Sequence, residues 1–136
     1  MPVDADFAAR VVARAYPLAL TFFQPSPEWF LEPPAAEPIA GEDGGEARLL
    51  FRPDYLHAKV IYDPERHDSG EHLWRNIGHE VAHLLLMEYD VLQIGMTGER
   101  ERLMTHANER AVTRLTRLWA RERPYPGDGA FAEPAP

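Results

Sequence analysis

Residues 76–90 read NIGHEVAHLLLMEYD, and the fold turns on what this run is. The stretch from Asp68 to about Tyr89 has a helical period. On a wheel of 3.6 residues per turn, Leu73, Ile77, Val81 and Leu84 share one narrow arc, the expected core-facing stripe. His79 and His83 fall on a different arc, one turn apart. Asp68 and Ser69 both suit the N-cap. With Asp68 as cap, Glu71 takes the partner position of a capping box.

Two imidazoles at this spacing reach one metal ion from the same helix face. Neutral ligands leave most of a zinc ion's charge uncompensated, which acidifies a water bound to it. Glu80 is offset round the helix, so it addresses that water rather than the ion, as general base and then general acid. A hydrolytic zinc site takes a third protein ligand. Asp90 follows too closely on the same helix end to fold back. The next helix is expected from near Thr97 to about Arg121, with Pro124 as its stop, and carries THANERAV at 105–112. His106 and Glu109 are three apart there and share a face, so both are candidates. That face differs from the helix's expected apolar stripe of Leu103, Met104, Ala107, Ala111, Leu115, Leu118 and Trp119. The arginines at 100, 102, 110, 114, 117, 121 and 123 read most simply as a solvated face paired with nearby glutamates, with a docking surface for an acidic partner as the minority reading.

Three further histidines are read as bystanders. His72 lies two turns before His79, about 10 Å along the axis, too far to share its ion, and is expected at the cleft rim. His57 and His67 read as surface residues. Asn76, one turn before His79, is either a cleft-lining residue or a plain polar helix position.

The rest of the chain supplies the frame. Its 136 residues suit one compact domain, and 45% hydrophobic with 26% charged residues is ordinary for a globular protein. There is no cysteine, so disulfides and thiolate zinc sites are excluded. The formal net charge of -8 without a basic cluster argues against a nucleic-acid groove. No apolar run is long enough to span a membrane. The acidic start, with Arg10 and Arg14 interrupting its apolar residues, is not a secretory signal, and a cytoplasmic location is expected.

Phe7 to Ala15 reads as a helix ended by Pro17, and Leu18 to Phe23 as a short strand. Residues 24–46, dense in Pro, Gly and acid, read as a long loop or flap with Trp29 and Phe30 as its obvious anchors. Ala47 to Arg52 and His57 to Asp63 read as strands of an antiparallel hairpin turned by PDYL. The expected organisation is one domain over 1–122 with a disordered tail over 123–136.

HEVAH followed by a glutamate on a later helix resembles the gluzincin group of zinc metallopeptidases. Asn108-Glu109 matches that group's NE pair, while Val112 and Thr113 stand where it has a small residue and an aspartate. The order of strand, loop, HExxH helix and second helix also resembles small bacterial and phage-encoded HExxH domains of the ImmA/IrrE type. The resemblance covers roughly Ala47 to Trp119. It implies an α+β, zincin-like fold: a small antiparallel or mixed sheet packed on the HExxH helix, then a ligand-bearing helix. It implies zinc as cofactor, held by His79, His83 and Glu109, with acid–base work by Glu80. In another register, matching HAN at 106–108 to the E-A-N triplet common in the ImmA/IrrE type, His106 is the third ligand.

The expected function is therefore a zinc metallopeptidase acting on a peptide or protein substrate, with no direct nucleic-acid and no membrane partner. The strand HAKVIYD is the candidate edge for pairing with extended substrate. Tyr55, His57 and Tyr62 are open candidates for steadying an oxyanion. A non-catalytic module that keeps the zincin fold, with or without metal, is the alternative reading. A zinc hydrolase acting on a non-peptide amide is a third.

Overall fold

The computed structural model describes residues 2–41, 45–52, 55–87 and 95–132. Among them the chain is an α+β fold: α1 (Ala5–Phe23), β1 (Phe30–Leu31), β2 (Ala35–Ala36), β3 (Ala47–Arg52), β4 (His57–Tyr62), α2 (Gly70–Leu85) and α3 (Gly98–Glu122). The expected helix end at Tyr89, Asp90 and the Pro53-Asp54 turn lie outside the described residues.

The first helix corrects the sequence reading. It does not stop at Pro17; it runs from an Asp4 cap, whose carboxylate accepts the Phe7 N–H at 3.1 Å, through to Phe23. The cause is the apolar period. Ala8, Val11, Val12, Ala15, Tyr16, Ala19 and Phe23 are all buried, and this stripe passes across Pro17 without a break. Pro17 is itself exposed, so the carbonyl left without its N–H faces water. Burying Ala19 and Phe23 outweighs one missing hydrogen bond, and no strand forms at Leu18 to Phe23.

The sheet is small and mixed. β3 and β4 form the expected antiparallel pair, from Ala47↔Tyr62 to Arg52↔His57. β1 and β2 both lie parallel to β4 on its other side. The described part of the segment expected as a flap, residues 24–41, 45 and 46, therefore includes an interrupted edge strand. Trp29 and Ile39 are buried. The Ile39 N–H donates to Asp63 Oδ2 at 2.9 Å, and Arg66 donates to the carbonyls of Gly41 and Gly45. Phe30, the other expected anchor, is exposed and stacks on His57 at 5.4 Å between ring centroids. Being paired on both sides, β4 is not the edge that HAKVIYD was expected to offer. β3 pairs with β4 alone among the described residues.

α2 meets its expected pattern: Leu73, Ile77, Val81 and Leu84 are buried, the first three in the main core with α1. Ser69 rather than Asp68 caps it, its hydroxyl accepting the His72 N–H at 3.1 Å. The stripe on α3 is corrected. Its buried residues are Asn108, Val112 and Trp119, while Leu103 and Leu118 are exposed. Trp119 decides this. Its indole lies against Gly78, where a Cβ would overlap the ring, stacks on Trp74 at 5.5 Å and donates to the Trp74 carbonyl at 3.2 Å. Rotating α3 to seat Trp119 turns Leu118 outward.

The expected disorder after residue 123 is also corrected in part. A short 3-10 turn covers Asp128–Phe131, Phe131 is buried, and Tyr125 stacks on it at 5.6 Å. Two aromatic side chains among prolines and glycines are enough to hold this segment against α1 and Trp74. No helix among the described residues is long and apolar enough to cross a membrane.

Gly78→Ala is expected to destabilise the fold by about 1–3 kcal/mol, the usual cost of overpacking. Paired with Trp119→Leu, it is expected to cost less than the two single losses added together. Denaturant melts of the four proteins check this; strict additivity overturns the contact.

Candidate metal centre

α2 and α3 run side by side, and their facing residues form the site. His79 and His83 project from α2 with ring centroids 4.8 Å apart. Glu109 projects from α3, its Oε1 lying 3.9 Å from His83 Nε2. One ligand atom from each of the three lies within 4.8 Å of the others. His106, the other candidate third ligand, is exposed and is not in this group. Glu109 and His106 share a face only loosely; the rotation set by Trp119 turns Glu109 inward and leaves His106 outside.

Thr116 orients the first histidine. Its hydroxyl donates to the Val112 carbonyl at 2.8 Å and so offers lone pairs to His79 Nδ1 at 3.1 Å. His79 thus carries its proton on Nδ1, leaving Nε2 as the ligating nitrogen. Thr113, one turn after the glutamate, makes no such bond among the described residues. Thr116, two turns after Glu109 on the same helix face, makes the bond instead. That spacing was the available signal, and the sequence reading missed it.

Burial lowers the pKa of both His79 and His83, the positive His79 ring lowering that of His83 further, and Glu109 opposes in each case. The shift favours the neutral rings, the form that binds a metal. Ligand atoms on a tetrahedral zinc with bonds of ~2.0–2.2 Å lie roughly 3.3–3.6 Å apart. The observed spread needs a modest contraction, and Glu109, more than half exposed, has the torsional freedom to supply it. Two nitrogens and a carboxylate with no sulfur fit zinc.

Glu80 sits behind the ligands, between α2 and β3. It is 8% exposed. Burial pushes its carboxyl up to about 8; the Leu49 N–H, which donates to it, opposes the shift, and the Glu109 carboxylate adds to it. Leu49 belongs to the outward-facing set on β3. The Glu46 carbonyl accepts the Asp63 N–H across the hairpin, so by alternation Ala47, Leu49 and Phe51 turn their backbone groups away from β4. The free edge of β3 therefore lies beside Glu80.

A second polar cluster adjoins the first along α2. His67, read as a surface residue, is 1% exposed. Its Nδ1 lies 2.8 Å from the Asp63 carbonyl, and its Nε2 3.0 Å from the Asn76 side-chain nitrogen. That nitrogen also donates to Glu46 Oε2 at 3.0 Å. Asn76 is thus a bridge, neither cleft-lining nor a plain polar position. His72 is partly buried, with Glu46 at 3.4 Å and Asp68 at 3.2 Å. Of the open oxyanion candidates, Tyr62 is buried in the core, Tyr55 is exposed, and His57 faces Glu32 at 3.6 Å.

No protein-family model, curated protein or solved structure matches the chain.

A carboxyl held at about 8 in the fold and near 4.3 when unfolded binds its proton more tightly in the folded state. Its contribution favours folding in acid and is lost as pH rises from about 4.3 to about 8. Glu80→Gln keeps an acceptor for the Leu49 N–H and removes this loss. The metal-free variant is expected to melt several degrees above wild type at pH 8.5 and level with it at pH 4. The histidines titrate alike in both proteins and cancel. A gap that does not change with pH contradicts the assignment.

Proposed function

We propose that this chain is a zinc-dependent metallopeptidase of gluzincin type with a zincin-like fold. The observation that carries the reading is a convergence: two histidines from one helix and a glutamate from the next meet beside a buried glutamate that is not one of them.

When bound, zinc supplies a Lewis acid that polarises a carbonyl and acidifies water. The remaining work belongs to the chain. His79, held by Thr116, and His83 present neutral nitrogens. Glu109 supplies the one negative ligand. Glu80 takes the proton of the attacking water and returns it to the leaving amine. A carboxyl whose pKa stands near 8 holds and releases a proton close to neutral pH, as this step requires. The Leu49 N–H fixes its orientation. The outward Leu49 carbonyl and the outward backbone groups of Phe51 offer an extended peptide a strand to pair with.

One observation favours a second reading, a non-catalytic metal-binding module: the Glu80 carboxylate is already engaged by β3 rather than open to the cleft. The two readings separate cleanly. Purified protein is expected to hold one equivalent of zinc by elemental analysis, lost in His79→Ala and His83→Ala. Glu80→Gln is expected to keep that zinc and lose peptide hydrolysis by about 10²-fold or more. A Glu80→Gln protein as active as wild type removes the mechanism, and a zinc-loaded wild type without peptidase activity selects the module.

A further inference from the structure

The arginines on α3 were expected to be a solvated face with glutamate partners. Arg102 and Arg121 do have them, in Glu99 and Glu122. Arg117 has no ion pair among the described residues. It lines a cavity of about 530 Å³ with Arg75, His79, Thr113, Thr116, Ala120 and Arg121. Arg75 comes from α2, so the cluster spans both helices and neither helix's own pattern reveals it. Three arginines therefore line one cavity in a protein whose formal net charge is -8. His79 belongs to this cavity wall and to the ligand group at once.

The walls are mostly apolar, and the polar groups on them are donors of the kind an anion subsite needs. Guanidinium groups match the planar geometry of a carboxylate with paired, charge-assisted hydrogen bonds. Thr113 adds a hydroxyl donor, whereas the Thr116 hydroxyl is already committed to Val112. The Arg75–Glu71 pair at 3.6 Å has both side chains more than half exposed, and exposed pairs of this kind are weak competitors. Arg121 is held at 3.1 Å by its chain neighbour Glu122 in a similarly exposed pair.

Position gives the cavity a relation to the proposed reaction. Arg75 lies four residues before His79 on α2, about 6 Å along the axis, and an extended peptide advances about 3.3 Å per residue. A group in the cavity is thus within about two residues of one whose carbonyl lies over His79 and His83. We propose that this cavity is a carboxylate subsite, so that the peptides accepted here carry an acidic side chain or a free C-terminal carboxylate within about two residues of the scissile bond. The proposal rests on the metallopeptidase reading for its link to cleavage, but not for binding itself.

The test uses the full-length, zinc-loaded Glu80→Gln protein, which binds without turnover. Three pentapeptides are titrated calorimetrically: blocked polyalanine, the same peptide with a central glutamate, and polyalanine with a free C-terminal carboxylate. One or both acidic peptides are expected to bind at least ~10-fold more tightly than the neutral one. Which of the two does so identifies the source of the carboxylate. In the Arg75→Gln/Arg117→Gln background the preference is expected to collapse to near unity, with zinc still at one equivalent. Three peptides that bind alike, none that bind, or a preference that survives the double substitution overturns the proposal. Elemental analysis beside the titrations separates the two claims: an acidic preference in a protein that takes up no zinc leaves the subsite standing and removes the metallopeptidase.

Discussion

The contact between Gly78 and Trp119 sets the rest of the site. With no side chain at 78, the largest fully buried side chain among the described residues, Trp119, lies directly on the α2 backbone, one position before His79. The indole is fixed from several directions, by Trp74 stacked on it, by the edge-on ring of Phe22 and by the tilted ring of Phe23. Once Trp119 is seated, the rotation and register of α3 are determined. Thr116, three residues earlier, is brought to His79, and Glu109, further back along the helix, is brought to His83. The same rotation excludes His106 and Leu118. A close helix–helix contact thus positions a polar constellation that shares none of its atoms.

Around that contact the polar groups are linked rather than isolated. Asn76 donates both of its amide hydrogens, one to His67 and one to Glu46. This fixes His67 with its proton on Nδ1, facing the Asp63 carbonyl. The Asp63 carboxylate in turn accepts the N–H groups of Ile39 and Glu65. The edge segment that carries β1 and β2 is therefore coupled through Asp63, His67 and Asn76 to the helix that bears His79 and His83. Buried polar groups are costly when unsatisfied, and here each bond made by one residue satisfies a group on another element.

Glu80 shows how burial and function bear on one residue. It lies on the arc facing β3, where the sheet edge dries it and the Leu49 N–H holds it. Desolvation raises its proton affinity towards neutrality, which suits a group proposed to take and return a proton. The cost is a stability that depends on pH. The same edge of β3 that holds Glu80 leaves the Leu49 carbonyl and the backbone groups of Phe51 turned outward.

Much of this was legible in the sequence. Periodicity alone identifies α2, its core stripe and the separate arc of His79 and His83, because a helix maps spacing onto direction. Alternation and turn residues identify the β3–β4 hairpin. Spacing narrows the third ligand to Glu109 or His106 without choosing, since a two-residue ambiguity within one helix turn is resolved only by how the helix is rotated. Pro17 misleads, because a local rule about proline gives way to an apolar stripe packed on α2. Tyr125 and Phe131 mislead for the same reason: their partners are distant in the chain. The meeting of Arg75 with Arg117, of His79 with Thr116 and of Asn76 with Glu46 joins residues from different elements, which no periodicity encodes. The sequence by itself determined which side chains each helix turns to one face; only tertiary packing, governed by the fit of Trp119 on Gly78, decided which of those faces meet.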